Sequence, residues 1–164
     1  MKEEKCKDLY ECLIEGKQPN GVESERYLLG YILIDPEVLN KKITKNLCEG
    51  HFFNRANGLL FGAMKMLHWE TGELDLEQLQ NALESDGILE VTGGKENLLE
   101  LADGHLTTMG GSEYHANIIY NKFCNRFCIG VAKVIIFDSF NDLDQPDSIA
   151  QAAITSLAAI IKIR

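Results

Sequence analysis

The last third of the chain carries more apolar surface than a single helix can hide. Residues 112 to 140 read as one uninterrupted helix, roughly 40 Å long at about 1.5 Å per residue, and its apolar side chains fall on two faces. Ile119, Phe123, Phe127, Val131 and Val134 make one face; Cys124, Cys128, Ala132 and Ile135 make the other. A break at Asn141-Asp142 leads through Asp144 to Pro146, a residue suited to a first helical turn, and the helix behind it reads IAQAAITSLAAIIKI. A helix that is apolar on more than one side must be covered on more than one side. Its neighbour in a helical hairpin provides one cover. The second cover is either the body of the domain or another subunit. Many alanines let helices approach closely. The preferred reading is self-association through this pair; completion of a single protomer's core is the alternative. Phe123, Phe127, Val131, Val134, Ile149, Ile154, Leu157 and Ile160 are the residues expected at an oligomer interface or in the hairpin core.

Almost every other segment also reads as helix, so the expected fold class is all-α: a globular helical bundle followed by a long C-terminal helical hairpin. Residues 3 to 15 bring Leu9, Leu13 and Ile14 near helical spacing, with Gly16 as a stop. Asn20 is placed to cap the next helix, and Glu23 sits at capping-box distance. Asp35-Pro36 restarts the chain with Asp at an N-cap and Pro at the first helical position. Leu59, Leu60, Phe61, Ala63, Met64 and Leu67 mark a helix over 56 to 70 that ends at Gly72. Asp75 caps another, with Gln78 three residues on, and Gly87 closes it. Residues 88 to 94 are the one stretch expected to be extended or turned, before a short helix from Lys95 to Ala102. Three units follow: an extra N-terminal helix over 1–18, a globular subdomain over 19–110, and the hairpin over 111–164.

The net charge of −9 is concentrated. Between Glu70 and Asp103 lie ten acidic residues against one base, Lys95. Such a surface repels a phosphate backbone and gains nothing from counterion release, so direct, tight DNA binding by this chain is disfavoured. The segment reads as a solvated face, or as a docking surface for a basic partner. No run of apolar residues is long enough to span a membrane. The N-terminus lacks the apolar core of a secretory signal, so a cytoplasmic location is expected. Five cysteines, an odd count with no C-x-x-C, point to free thiols.

Catalytic and cofactor chemistry finds no foothold. The text nearest to a P-loop, Gly93-Gly94-Lys95-Glu96, has Glu where the magnesium hydroxyl belongs and Leu89 where the first glycine should stand. It reads as a turn before a helix. Cys48 and His51, with Cys124 and Cys128, offer four zinc-type ligands at unspecific spacing. Packing of these cysteines as small apolar side chains is the stronger reading. No Ser-His-acid or His-Glu-x-x-His arrangement occurs. Trp69 is expected to pack at a helix end, with ligand stacking the weaker alternative. No catalytic, cofactor-binding or metal residue is therefore assigned, and no cofactor is expected.

The order of motifs carries a family resemblance. Residues 19 to 35, PNGVESERYLLGYILID, contain a Pro-x-x-x-Glu-x-Glu stretch, then Leu29-Gly30 and a short aliphatic run. Phe52-Phe53, Phe61 and Ala63-Met64 come next, followed by Gly72-Glu-Leu-Asp75 and Gly87-Ile-Leu-Glu-Val-Thr-Gly-Gly94. Glu113-Tyr-His-Ala-Asn-Ile-Ile119 and Arg126 close the series. Each motif is weak alone; their shared order and spacing from Pro19 to Arg126 resemble the N-terminal domain of DnaB-like replicative DNA helicases. Asn57 stands where that family usually has His, Gly110-Gly111 replaces an Asn-containing turn, and His115 replaces a Tyr.

The resemblance implies a non-catalytic module of DNA replication, because the family's ATP and translocation residues lie in a C-terminal motor domain absent from this sequence. It implies hairpins that pair into homodimers, three dimers forming a collar. The collar stacks on the helicase motor domain and docks the helicase-binding domain of primase. The alternative is a standalone phage or mobile-element relative that binds and regulates a host helicase–primase complex. A small-ligand or metal enzyme is the third and weakest reading.

Overall fold

The computed structural model describes Gly16 and residues 18–103, 110–141 and 145–162. Seven α-helices and two 3-10 turns make up this part, with no strand among the described residues. We number the helices α1 (Val22–Ile34), α2 (Lys42–Asn46), α3 (Arg55–Thr71), α4 (Leu76–Ser85), α5 (Gly94–Ala102), α6 (Ser112–Asn141) and α7 (Pro146–Lys162). The 3-10 turns are Pro36–Asn40 and Glu49–His51. The expected all-α class is what the chain adopts. The helix expected over 3 to 15, with two of the five cysteines, Cys6 and Cys12, lies outside the described residues, as does the break expected after Asn141, over 142–144.

One compact unit spans Asn20–Phe123. Its core is aliphatic, with two aromatic rings at the centre. Leu28, Leu29 and Ile32 of α1 are fully buried, as are Leu60, Phe61 and Met64 of α3 and Leu79 and Leu83 of α4. Leu98 and Leu101 of α5 and Ile119 of α6 complete it. The Phe52 and Phe61 rings lie 4.9 Å apart. The 3.6-residue spacing of these side chains is what made the helices visible in the sequence.

Caps and glycines set several boundaries. Asp75 Oδ1 accepts from the Gln78 amide at 2.8 Å to start α4. Asn54 Oδ1 accepts from Ala56 and Asn57 amides at 2.9 and 3.3 Å to start α3. Gly72 ends α3 at φ 75°, a left-handed conformation that costs glycine nothing. Asp35 accepts from the Glu37 amide and Pro36 follows, as expected, but the product is a 3-10 turn and not an α-helix. Gly93 and Gly94 both take left-handed φ, 96° and 71°, making the turn that delivers α5.

One boundary corrects the sequence reading. The N-cap of α1 is Gly21, not Asn20, and no side chain caps that helix. Glu23 is exposed and closes no capping box, whereas Glu25, one turn into the helix, is buried. A hypothetical Cβ on Gly21 comes within 3.1 Å of Ile118, so α6 leaves little room beyond a glycine there.

The second compact unit contains the remaining part of α6 from Cys124, and α7. These two helices line a common cleft and form the expected hairpin. Arg126 of α6 donates to the Pro19 carbonyl at 2.9 Å within this unit.

Candidate interaction surface

The hairpin is the part of the chain whose chemistry and surroundings disagree most. Among the described residues none beyond Tyr120 is buried. Yet α7 carries no charged side chain from Ser148 through Ile160. Along α6, Val134 is 58% exposed, Phe137 61% and Phe140 85%. Ile154 on α7 is 61% exposed. Fully burying one such side chain is worth roughly 1.5–3 kcal/mol, and monomeric proteins seldom leave contiguous apolar stripes open.

A cleft of about 270 Å³ runs between the two helices. Phe127, Val131, Val134 and Ile135 form the α6 wall, and Ile149, Ala152, Ala153 and Ser156 the α7 wall. Gly130 opens the floor, and Asp138 is the one ionisable residue in the lining. The small residues on α7 keep this wall low. A cleft so lined is apolar, open and without a convergent set of reactive groups.

The sequence-derived residues separate into three places. Phe127, Val131, Val134 and Ile149 line the cleft. Ile154 and Leu157 are exposed on α7, and Ile160 is half-buried there. Phe123 lies with the globular unit, its ring edge-on to His51 at 4.3 Å. One apolar stripe of α6 therefore changes role along its length: Ile119 and Phe123 pack into the globular unit, and Phe127 onward faces the cleft. Phe137 and Phe140, the most exposed aromatic rings of α6, were not singled out from the sequence. Their i, i+3 spacing with Val134 was the available signal.

Inside the globular unit, a buried carboxylate whose role sequence reasoning missed joins α1 to the start of α3. Glu25 is 1% exposed. It accepts hydrogen bonds from the Phe53 amide at 2.6 Å, the Asn54 amide at 3.2 Å and Asn57 Nδ2 at 3.0 Å. Three donors at the start of α3 thus compensate for its desolvation. Asn57, at the position where the resembling family usually has His, is one of them. Arg26 next door donates to Asn97 at 2.8 Å and pairs with Glu100 at 3.0 Å, tying α1 to α5.

Two other expectations are corrected. Cys48 and Cys128 are exposed, and Cys124 is half-buried, so these thiols are not the packed small hydrophobes anticipated. Cys48 sits instead at the N-cap of a 3-10 turn, where His51 Nδ1 accepts from its amide at 2.9 Å. No three His, Cys, Asp or Glu side chains converge as a metal needs, among the described residues. Trp69, expected to pack at a helix end, is 68% exposed near the end of α3. No helix among the described residues is long and apolar enough to cross a membrane.

Fold and surface define a class: an all-α domain continuing into an apolar two-helix hairpin. The family model described as the DnaB-like helicase N terminal domain matches residues 17–121, and the chain belongs to that family. The replicative DNA helicase DnaB of Buchnera aphidicola is 34% identical over 139 residues, covering 83% of this chain and 29% of that protein. The DnaB of Geobacillus stearothermophilus is 30% identical over 135 residues, covering 82% of this chain and again 29% of the relative. The chain therefore spans less than a third of the length of these helicases. The crystal structure of the N-terminal domain of DnaB helicase from Mycobacterium tuberculosis has the same fold. Its TM-score is 0.73 at 17% identity, over 87% of this chain and 99% of that one. What matches is the non-catalytic N-terminal domain of the helicases, without their motor.

Proposed function

We propose that this chain is a ring-assembly and primase-docking module of DNA replication. The hairpin pairs with that of a second copy, and dimers so formed build a collar beside the helicase motor domain. The polar surface left outside the paired hairpins receives the helicase-binding domain of primase. The observation that carries this reading is the charge-free stretch of α7 from Ser148 through Ile160, which lines an apolar cleft with no buried residue in either helix wall. A standard interface removes roughly 800 Å² per partner; burying open phenylalanines and isoleucines is its natural driving force. DNA is not a partner held by this chain itself, because its net charge of −9 opposes phosphate binding.

The test is co-elution of the full chain with a purified primase helicase-binding domain in gel filtration. The proposal expects a complex that forms with the wild type and is lost when Val134→Asp and Ile154→Asp dissociate the copies. Separate elution at every concentration would remove the primase part of the reading.

A further inference from the structure

A second exposed apolar feature lies on α3, within the globular unit, and is independent of the hairpin. Trp69 is 68% exposed and Met66, one turn earlier, 49%. At i, i+3 these two side chains are surface neighbours. The indole has a fixed underside: Lys65 Nζ sits 5.4 Å from its ring centroid. That ammonium donates to the Lys45 and Leu47 carbonyls, each at 2.8 Å, so it does not swing away. One indole face is thus supported and the other open.

Lys65 occupies the supported face of the ring, and the chain that follows the platform is acidic. Between Lys65 and Lys95 there is no Lys or Arg. Exposed Glu70 and Glu73 follow Trp69 directly, and Asp75 and Glu77 continue the run at the start of α4. The last turn of α3 adds its carbonyl ends, which carry partial negative charge. An indole beside carboxylates favours a cation over its open face, since the ring quadrupole and the acids attract it together. Met66 offers an adaptable apolar contact alongside.

We propose that Trp69 and Met66 form a docking platform for a basic amphipathic segment of a partner protein. An arginine or lysine of that segment stacks on the open indole face near Glu70 and Glu73, and an aliphatic side chain covers Met66. Nucleic acid is disfavoured by the same carboxylates.

Trp69 is the chain's single tryptophan, so its emission reports on this platform alone. The full chain is titrated with a helical peptide of leucine and arginine lacking Trp and Tyr, and with the same peptide carrying Glu for Arg. The proposal expects a saturable blue shift with the arginine peptide and none with the glutamate peptide. Affinity should fall by on the order of tenfold in the Glu70→Gln, Glu73→Gln variant. By calorimetry, Trp69→Ala and Met66→Gln should each weaken binding while Tm stays unchanged. An unmoved emission overturns the proposal, as does an equal response to the acidic peptide or full affinity in Trp69→Ala. A blue shift produced by raising the concentration of the chain alone also overturns it, because the face is then covered by a second copy.

Discussion

Glu25 and Glu23 sit two residues apart in the same helix, and only one is structural. Glu25 accepts from two amides and one side-chain amide at the start of α3, whereas Glu23 is exposed. Replacing Glu25 by Ala strips the acceptor from three buried or half-buried donors and should cost about 3 kcal/mol. Glu23→Ala should stay within about 0.5 kcal/mol. Urea denaturation of the two variants measures the difference. The distinction was not legible in the sequence, because capping-box spacing from Asn20 pointed to Glu23, whereas the N-cap position is Gly21. A second residue-scale effect is pH-dependent. Burial holds the Lys65 ammonium below its ordinary value of 10.5; nearby Cys48 partly offsets this and Lys45 adds to it. The unfolded chain therefore binds that proton more tightly. The cost of keeping Lys65 charged is fully present below its folded pKa and is relieved as pH rises toward 10.5. The stability of the wild type relative to Lys65→Met should therefore grow as pH climbs through that window, measured by urea titration at a series of pH values.

At the scale of elements, two glycines of α3 behave differently although both face the 3-10 turn at Glu49–His51. A Cβ at Gly58 meets the Glu49 carbonyl oxygen at 2.7 Å, which is backbone and fixed. At Gly62 the clash is with the Glu49 side chain, which can turn away. Gly58→Ala should therefore destabilise by about 1–3 kcal/mol. Gly62→Ala should be neutral or gain up to about 1 kcal/mol from helix propensity. Thermal melts of both variants check this pair. Asp75→Ala should cost about 1 kcal/mol through loss of the α4 cap. That cap, the restart at Asp35-Pro36, the stop at Gly72 and the bounds of α6 were all readable, since each depends on local chemistry. The 3-10 form of Pro36–Asn40 was not, because five residues carry too little periodicity to separate it from α. The exposure of Trp69 and of Cys48 and Cys128 was unreadable for a different reason: composition says what prefers burial, and only tertiary packing says what obtains it.

At the scale of the whole molecule, the chain combines a well-filled globular unit with a hairpin whose apolar side chains stay open. The hairpin's greasiness was legible from two facts, two apolar faces on α6 and the charge-free run from Ser148 through Ile160 on α7. Phe127, Val131, Val134 and Ile149, which share one helical stripe or face it, line the cleft. Phe123 could not be separated from them, because the stripe runs without interruption from the globular core into the hairpin. An Asp at Phe137 or Val134 adds a charge to a surface whose cleft holds only one ionisable residue, Asp138, and it should dissociate copies without unfolding the globular unit, whose core lies elsewhere. The most direct measurement is sedimentation velocity of the intact chain over a wide concentration range, beside Phe137→Asp. The account predicts a species at twice the 18.4 kDa of one chain or a higher multiple, reverting to one chain in the variant with its melting transition kept. A wild-type chain that stays at 18.4 kDa at every concentration would contradict it.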